Sequence, residues 1–176
     1  VKSGAQFMSW SGTFTQALEL EGLGWGEAGG AFGYPGALRT AAGSVAVFTG
    51  PIALKSNTGI LAQTDSTVTI AGTITGPYQC DFAVGSQFGN GGTLTISPDA
   101  AVANSYASTR ILGSGTTTGS VVAGNEYAFS TGPLIVDSCV LKLNGNSFSF
   151  ASLSGGGGRI GNYGAVPMTL TVGSGD

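Results

Sequence analysis

Ser66-Thr67-Val68-Thr69-Ile70-Ala71-Gly72-Thr73-Ile74-Thr75-Gly76 and Gly91-Gly92-Thr93-Leu94-Thr95-Ile96-Ser97-Pro98 decide the fold. Each is a short Thr/apolar alternation bounded by Gly, Ser or Pro. Period two places Val, Leu and Ile on one face of a strand and the Thr hydroxyls on the other. The phrase returns as Met168-Thr169-Leu170-Thr171-Val172-Gly173. Thr67 and Thr93 are 26 residues apart, and Thr93 and Thr169 are 76 apart, close to three further steps. A half-buried strand recurring at roughly 20 to 30 residues marks an architecture of stacked coils.

Segments of the same kind run outward in both directions. Candidate strands are Gly36–Arg39, Ser44–Phe48, Ile52–Leu54, Gly59–Gln63, Thr67–Ala71, Thr73–Thr75, Asp81–Val84, Gly92–Ile96, Ala101–Ala103 and Arg110–Leu112. Gly119–Val122, Glu126–Phe129, Pro133–Val136, Cys139–Leu143, Ser147–Phe150, Arg159–Ile160 and Met168–Val172 complete the set. Gly, Pro, Asn and Asp separate them, and no window carries the apolar spacing of a helix. Asn90-Gly91 and Asn144-Gly145 would ordinarily mark hairpins, but the same pair also serves a left-handed corner in a coiled stack. Pieces this short suit an all-β parallel β-helix of roughly seven coils, about 34 Å long at ~4.8 Å per coil. Its inner column is expected to hold Val45, Ile52, Ile60, Val68, Ile70, Leu94, Ile96, Ile111, Val121, Leu134, Val136, Leu141, Leu143, Leu170 and Val172.

Residues 1–35 stand apart. Phe7, Met8, Trp10, Phe14, Trp25, Phe32 and Tyr34 crowd a Gly-rich stretch. It reads as an irregular cap or contact segment ahead of repeats spanning 36–176. The aromatics either close the stack or stay exposed for carbohydrate stacking or contact with another chain. The chain opens without Met or an apolar signal core and ends within the repeating phrase, so a segment of a longer protein is expected.

Of 176 residues, 32 are Gly and only 9% are charged, yet 41% are hydrophobic and the mean hydropathy is +0.27. That composition excludes a disordered linker and assigns the glycines to tight turns. A net charge of −3 with six scattered basic residues excludes a nucleic-acid partner, which requires a basic face. So sparse a charge points to a surface covered by neighbouring subunits, repeats or carbohydrate. No apolar run reaches the 18 residues of a membrane-spanning helix.

The catalytic inventory is empty. With no histidine, neither a Ser/His/Asp arrangement nor a Cys/His pair exists, and no metal spacing is present. Cys80 and Cys139 read as buried thiols; the alternative, a disulfide closing about 60 residues, would contribute roughly 4 kcal/mol. Asp65, Asp81, Asp99 and Asp137 could stack into an acid/base pair as in β-helical polysaccharide hydrolases. The neighbours of Asp65, Asp99 and Asp137 instead mark them as turn residues that accept backbone N–H bonds. Gly155–Gly158 lacks the Lys-Ser/Thr of a phosphate loop and reads as a corner. It also lacks the spaced Asp of calcium-binding nonapeptides, leaving calcium only Asp and turn carbonyls as ligands. The Thr-x-Thr pairs form no regular ice-binding array and read as ordinary solvent-facing threonines. No catalytic, cofactor-binding or metal residue and no cofactor is assigned.

Phe148-Ser149-Phe150-Ala151-Ser152-Leu153-Ser154-Gly155-Gly156-Gly157-Gly158-Arg159-Ile160-Gly161-Asn162, leading into Met168–Gly173, resembles the autotransporter-associated β-strand repeat of bacterial surface proteins. Gly89–Ser97 is similar to that family's Gly-rich turn before a Thr-Leu-Thr strand, and Leu141–Asn146 to its Leu-x-Leu-Asn-Gly-Asn phrase. The likeness covers 36–176 in style and 137–176 most specifically. It implies a right-handed parallel β-helix, extracellular or on the bacterial cell surface, serving as a non-enzymatic structural or adhesive module that self-associates. The alternatives are a carbohydrate-active β-helix and a carbohydrate-binding or phage-fibre-like module. The sequence departs from the family at Cys80–Phe88, where Tyr78, Cys80, Phe82 and Phe88 suggest an insertion.

Overall fold

The computed structural model describes residues 1–25, 36–85, 91–99, 103–113 and 119–173. Every regular element among them is a strand. In chain order, β1, β2 and β3 are Phe7–Ser9, Gly12–Phe14 and Leu18–Leu20, and β4, β5 and β6 are Leu38–Thr40, Val45–Phe48 and Ile52–Leu54. Then come β7 (Thr58–Ala62), β8 (Thr67–Ile70), the long β9 (Ile74–Val84), β10 (Thr93–Ile96), the long β11 (Ser105–Gly113) and β12 (Ser120–Ala123). The last six are β13 (Leu134–Asp137), β14 (Val140–Lys142), β15 (Phe148–Phe150), β16 (Leu153–Ser154), β17 (Arg159–Gly161) and β18 (Leu170–Val172).

Pairing skips chain neighbours. One sheet runs β1-β4-β7-β9-β11-β13-β16, with β3 and β6 joining it at β9. A second runs β17-β14-β12-β10-β8-β5-β2, and β15 pairs β18. Every strand pair is parallel, so none is closed by a hairpin. The chain thus lays down three files of parallel strands. Asn144 and Gly145 both take positive φ, 50° and 79°, and make a corner between β14 and β15.

The core follows from the register. Leu38, Ile60, Phe82, Ile111 and Val136 stack in one file. Val68, Leu94, Val121 and Leu141 stack in the next, and Ile52 on Ile74 in the third. All of these side chains are buried. Each contributes about 1.5–3 kcal/mol by leaving water. Phe82 meets Tyr106 and Phe129, and Phe129 leans on Phe148, threading aromatic rings through the interior. On the opposite side of the first sheet Leu61, Ala83 and Leu112 form a separate buried cluster, which makes all of β7 buried.

Several expectations need correction. Thr67 and Thr93 do share a register, as do Thr69 and Thr95, but β18 stacks on β15 in another file. Val45 is 57% exposed and lies in line with Thr67, while Ala46 and Phe48 fill the core. Leu170 is only partly buried and Val172 is exposed. Glu126–Phe129 forms turns, stabilised by the Tyr127 N–H donating to Asn125 Oδ1 at 3.0 Å, rather than a strand. Ile74–Thr75 and Asp81–Val84 belong to one strand, β9, with Gly76 at φ 135° between them, and Thr73 lies just before it. Cys80–Val84 is no insertion, since it pairs in register with Thr58–Ala62; Phe88 lies outside the described residues. So do Asn90, Ala101 and Val102. Within the stretch expected to be irregular, β1, β2 and β3 pair residue for residue with β4, β5 and β6.

Candidate functional site

Of the four candidate aspartates, two sit in turns. Asp65 adopts φ 54° at an exposed turn, and Asp99 is exposed with its N–H bonded to the Ala71 carbonyl. Asp81 and Asp137 belong instead to an ionic ladder on the first sheet. Asp81 on β9 lies level with Arg110 on β11. Arg110 Nε and Nη2 both donate to Asp137 Oδ2 at 3.0 Å. The other Asp137 oxygen accepts the Gly156 N–H at 2.8 Å, so Gly155–Gly158 is a corner wrapped on a carboxylate. Gln79 Nε2 donates to Asp81 Oδ1 at 2.7 Å, and Ser108 Oγ donates to Gln79 Oε1.

This arrangement suits anchoring. Glycoside hydrolysis requires two carboxylates facing one groove at about 5–5.5 Å or about 6.5–9.5 Å. Here a guanidinium stands on the strand between the two acids, and Asp81 is only 2% exposed. Neither of the two described clefts is lined by an acid. Among the described residues no cluster of three or more Asp, Glu or Cys could hold a metal ion.

Cys80 and Cys139 are both buried and unpaired. Burial pushes the Cys80 thiol well above its ordinary range and Cys139 up to about 11. Two consequences are expected. At pH 8 neither thiol reacts with an aromatic disulfide reagent until the chain unfolds. Because the folded thiols hold their protons beyond the unfolded value near 9, their contribution is intact below pH 9 and shrinks as pH rises toward 11. Urea unfolding at pH 8 and 10.5, compared with the Cys80→Ala/Cys139→Ala variant, should show an extra loss on the order of 2 kcal/mol in the parent. Prompt labelling of the folded chain would contradict the burial.

The N-terminal aromatics divide. Phe7 meets Phe14 edge-on at 5.8 Å and Phe14 stacks on Phe48 at 4.9 Å, closing the first end of the core. Met8, Trp10 and Trp25 are exposed, and Phe32 and Tyr34 lie outside the described residues. A shallow cleft of about 640 Å³ is bounded by Ser3, Gly22, Gly24, Ser56, Asn57 and Tyr78. Sequence reading does not reveal this cleft, because stacking alone gathers residues so distant in the chain. No family model matches the chain, and neither the curated proteins nor the solved structures compared with it give a match.

Proposed function

We propose that the chain is a non-enzymatic structural or adhesive module: a right-handed parallel β-helix displayed outside a bacterial cell. The observation that carries this reading is the exclusively parallel pairing of strands among the described residues, from β1 at Phe7 to β18 at Val172. Each round is clamped to its neighbours by backbone bonds, which makes the element stiff along its length. Right-handed crossovers are the rule for parallel strands. Open strand edges at the ends and a surface with few charges favour association with further copies or repeats. The ionic ladder and the buried thiols serve that scaffold, since none of them offers an accessible nucleophile or an acid/base pair.

Negative-stain electron microscopy with sedimentation velocity over a concentration series tests the reading. The expected result is elongated particles that associate as concentration rises. Compact particles that stay at 17.4 kDa throughout would overturn it. A polysaccharide panel tests the enzymatic alternative: no reducing ends are expected, whereas release abolished by Asp137→Asn would establish a hydrolase.

A further inference from the structure

We propose that the cleft between Ser3, Gly24, Ser56 and Tyr78 binds a neutral saccharide through Tyr78 and Asn57. Its volume, about 640 Å³, lies within the range of small-molecule sites. Asn57 and Tyr78, one round apart, frame it. The Gln79 N–H donates to Asn57 Oδ1 at 3.1 Å, which fixes the amide and turns its Nδ2 away from that backbone. Among the described residues, neither Asn57 Nδ2 nor the Tyr78 hydroxyl has a hydrogen-bond partner, and the Tyr78 side chain is partly exposed. An open aromatic ring offers a face for sugar C–H groups, and a fixed amide donor beside it meets a hydroxyl.

Gly22 and Gly24 also line the cleft and hold it in shape. Gly22 and Gly24 take φ +83° and +95°, and a Cβ at Gly24 would lie 2.3 Å from the Gly36 carbonyl oxygen. Gly22 is pinned by its N–H donating to Ser56 Oγ at 2.6 Å.

Charge sets the ligand class. Among the described residues, no Asp, Glu, Lys or Arg lines the cleft. Among the described residues, the charged side chains that flank the lining are paired, Lys2 with Glu21 at 3.2 Å and Lys55 with Glu19 at 3.0 Å. A phosphate or uronic acid would find no counter-charge among the described lining residues, whereas a neutral sugar needs only stacking and hydrogen bonds. The proposal stands apart from the scaffold reading, because sugar binding can hold for a chain that never associates.

Trp10→Phe leaves Trp25 as the sole tryptophan, one residue beyond Gly24 of the cleft. In that background, fluorescence and calorimetry are followed against cellohexaose, xylohexaose, maltohexaose, chitopentaose and an oligogalacturonate. At least one neutral glycan should bind saturably. Tyr78→Ala should weaken it at least ~tenfold, and Asn57→Asp about tenfold, because Asp keeps the acceptor for Gln79 N–H but removes the donor. Circular dichroism confirms folding; should Tyr78→Ala not fold, Tyr78→Phe and Asn57→Asp carry the test. Absence of binding up to ~10 mM, binding of the oligogalacturonate alone, or binding indifferent to these variants overturns the proposal.

Discussion

Gly72→Ala is expected to cost more than about 4 kcal/mol, enough to unfold a chain of ordinary stability. Gly72 is buried at the corner after β8, where its N–H donates to the Phe48 carbonyl at 2.9 Å. A Cβ there would lie 1.9 Å from the Gly50 carbonyl oxygen and 2.6 Å from its carbon. One round below, a Cβ on Gly50 would lie 2.1 Å from the Gln16 carbonyl oxygen. These are main-chain atoms, held by the same ladder that sets the ~4.8 Å spacing, so neither side can swing away. Any side chain must push two rounds apart and break the bonds on both sides of the corner. Gly43→Ala separates this from the general cost of losing a glycine: Gly43 has φ +69° but nothing within 4 Å of the added methyl. Only left-handed strain, about 1–2 kcal/mol, should be lost there. Urea unfolding of both variants decides the point. Equal losses would mean that the rounds are not stacked this closely.

The same stacking explains what the sequence discloses and what it hides. Thr67–Ile70 and Thr93–Ile96 were legible because Thr and apolar residues alternate cleanly, so only one face can be buried. Val45-Ala46-Val47-Phe48 is apolar in both phases. Periodicity alone cannot choose, and the larger Phe48 takes the interior where it stacks on Phe14. Leu170 and Val172 have the right pattern, yet β18 pairs on one side only, with β15, and buries less. Turn chemistry identified Asp65 and Asp99, which the chain places in exposed turns. Asp81, Arg110 and Asp137 could not be joined in advance, because the spacing between paired residues varies along the chain. Leu38, Ile60 and Phe82 follow one another at 22 residues, whereas Phe82 and Ile111 are 29 apart. Unequal loops shift the register, and a contact across rounds depends on every loop before it. The cleft at Tyr78 is hidden for the same reason.

Asn104→Leu is expected to lower stability by about 2–6 kcal/mol, although the two side chains are similar in size. Asn104 is 3% exposed. Its Oδ1 accepts the Ile74 N–H at 2.7 Å and its Nδ2 donates to the Ala128 carbonyl at 2.8 Å. Its own N–H donates to the Tyr127 carbonyl at 3.2 Å. Beside it, the round above turns through Asn125–Phe129 instead of forming a strand, and the side-chain amide supplies bonds that a strand would have made. Leucine leaves one N–H and one C=O buried without partners, each costing about 1–3 kcal/mol. Asn104→Asp discriminates between lost bonds and lost shape. It keeps the acceptor for Ile74, but the ionised carboxylate then faces the Ala128 carbonyl in a buried site. Protonation restores a donor, so the folded-state pKa of this Asp should be raised. Its stability should be greatest in acid, below the unfolded carboxyl value, and should fall as pH rises through the folded one. Denaturation of both variants at pH 4 and pH 7 measures this. An Asn104→Leu loss below ~1 kcal/mol, or an Asp variant insensitive to pH, would mean that the two backbone groups find other partners and that the ladder does not depend on the amide.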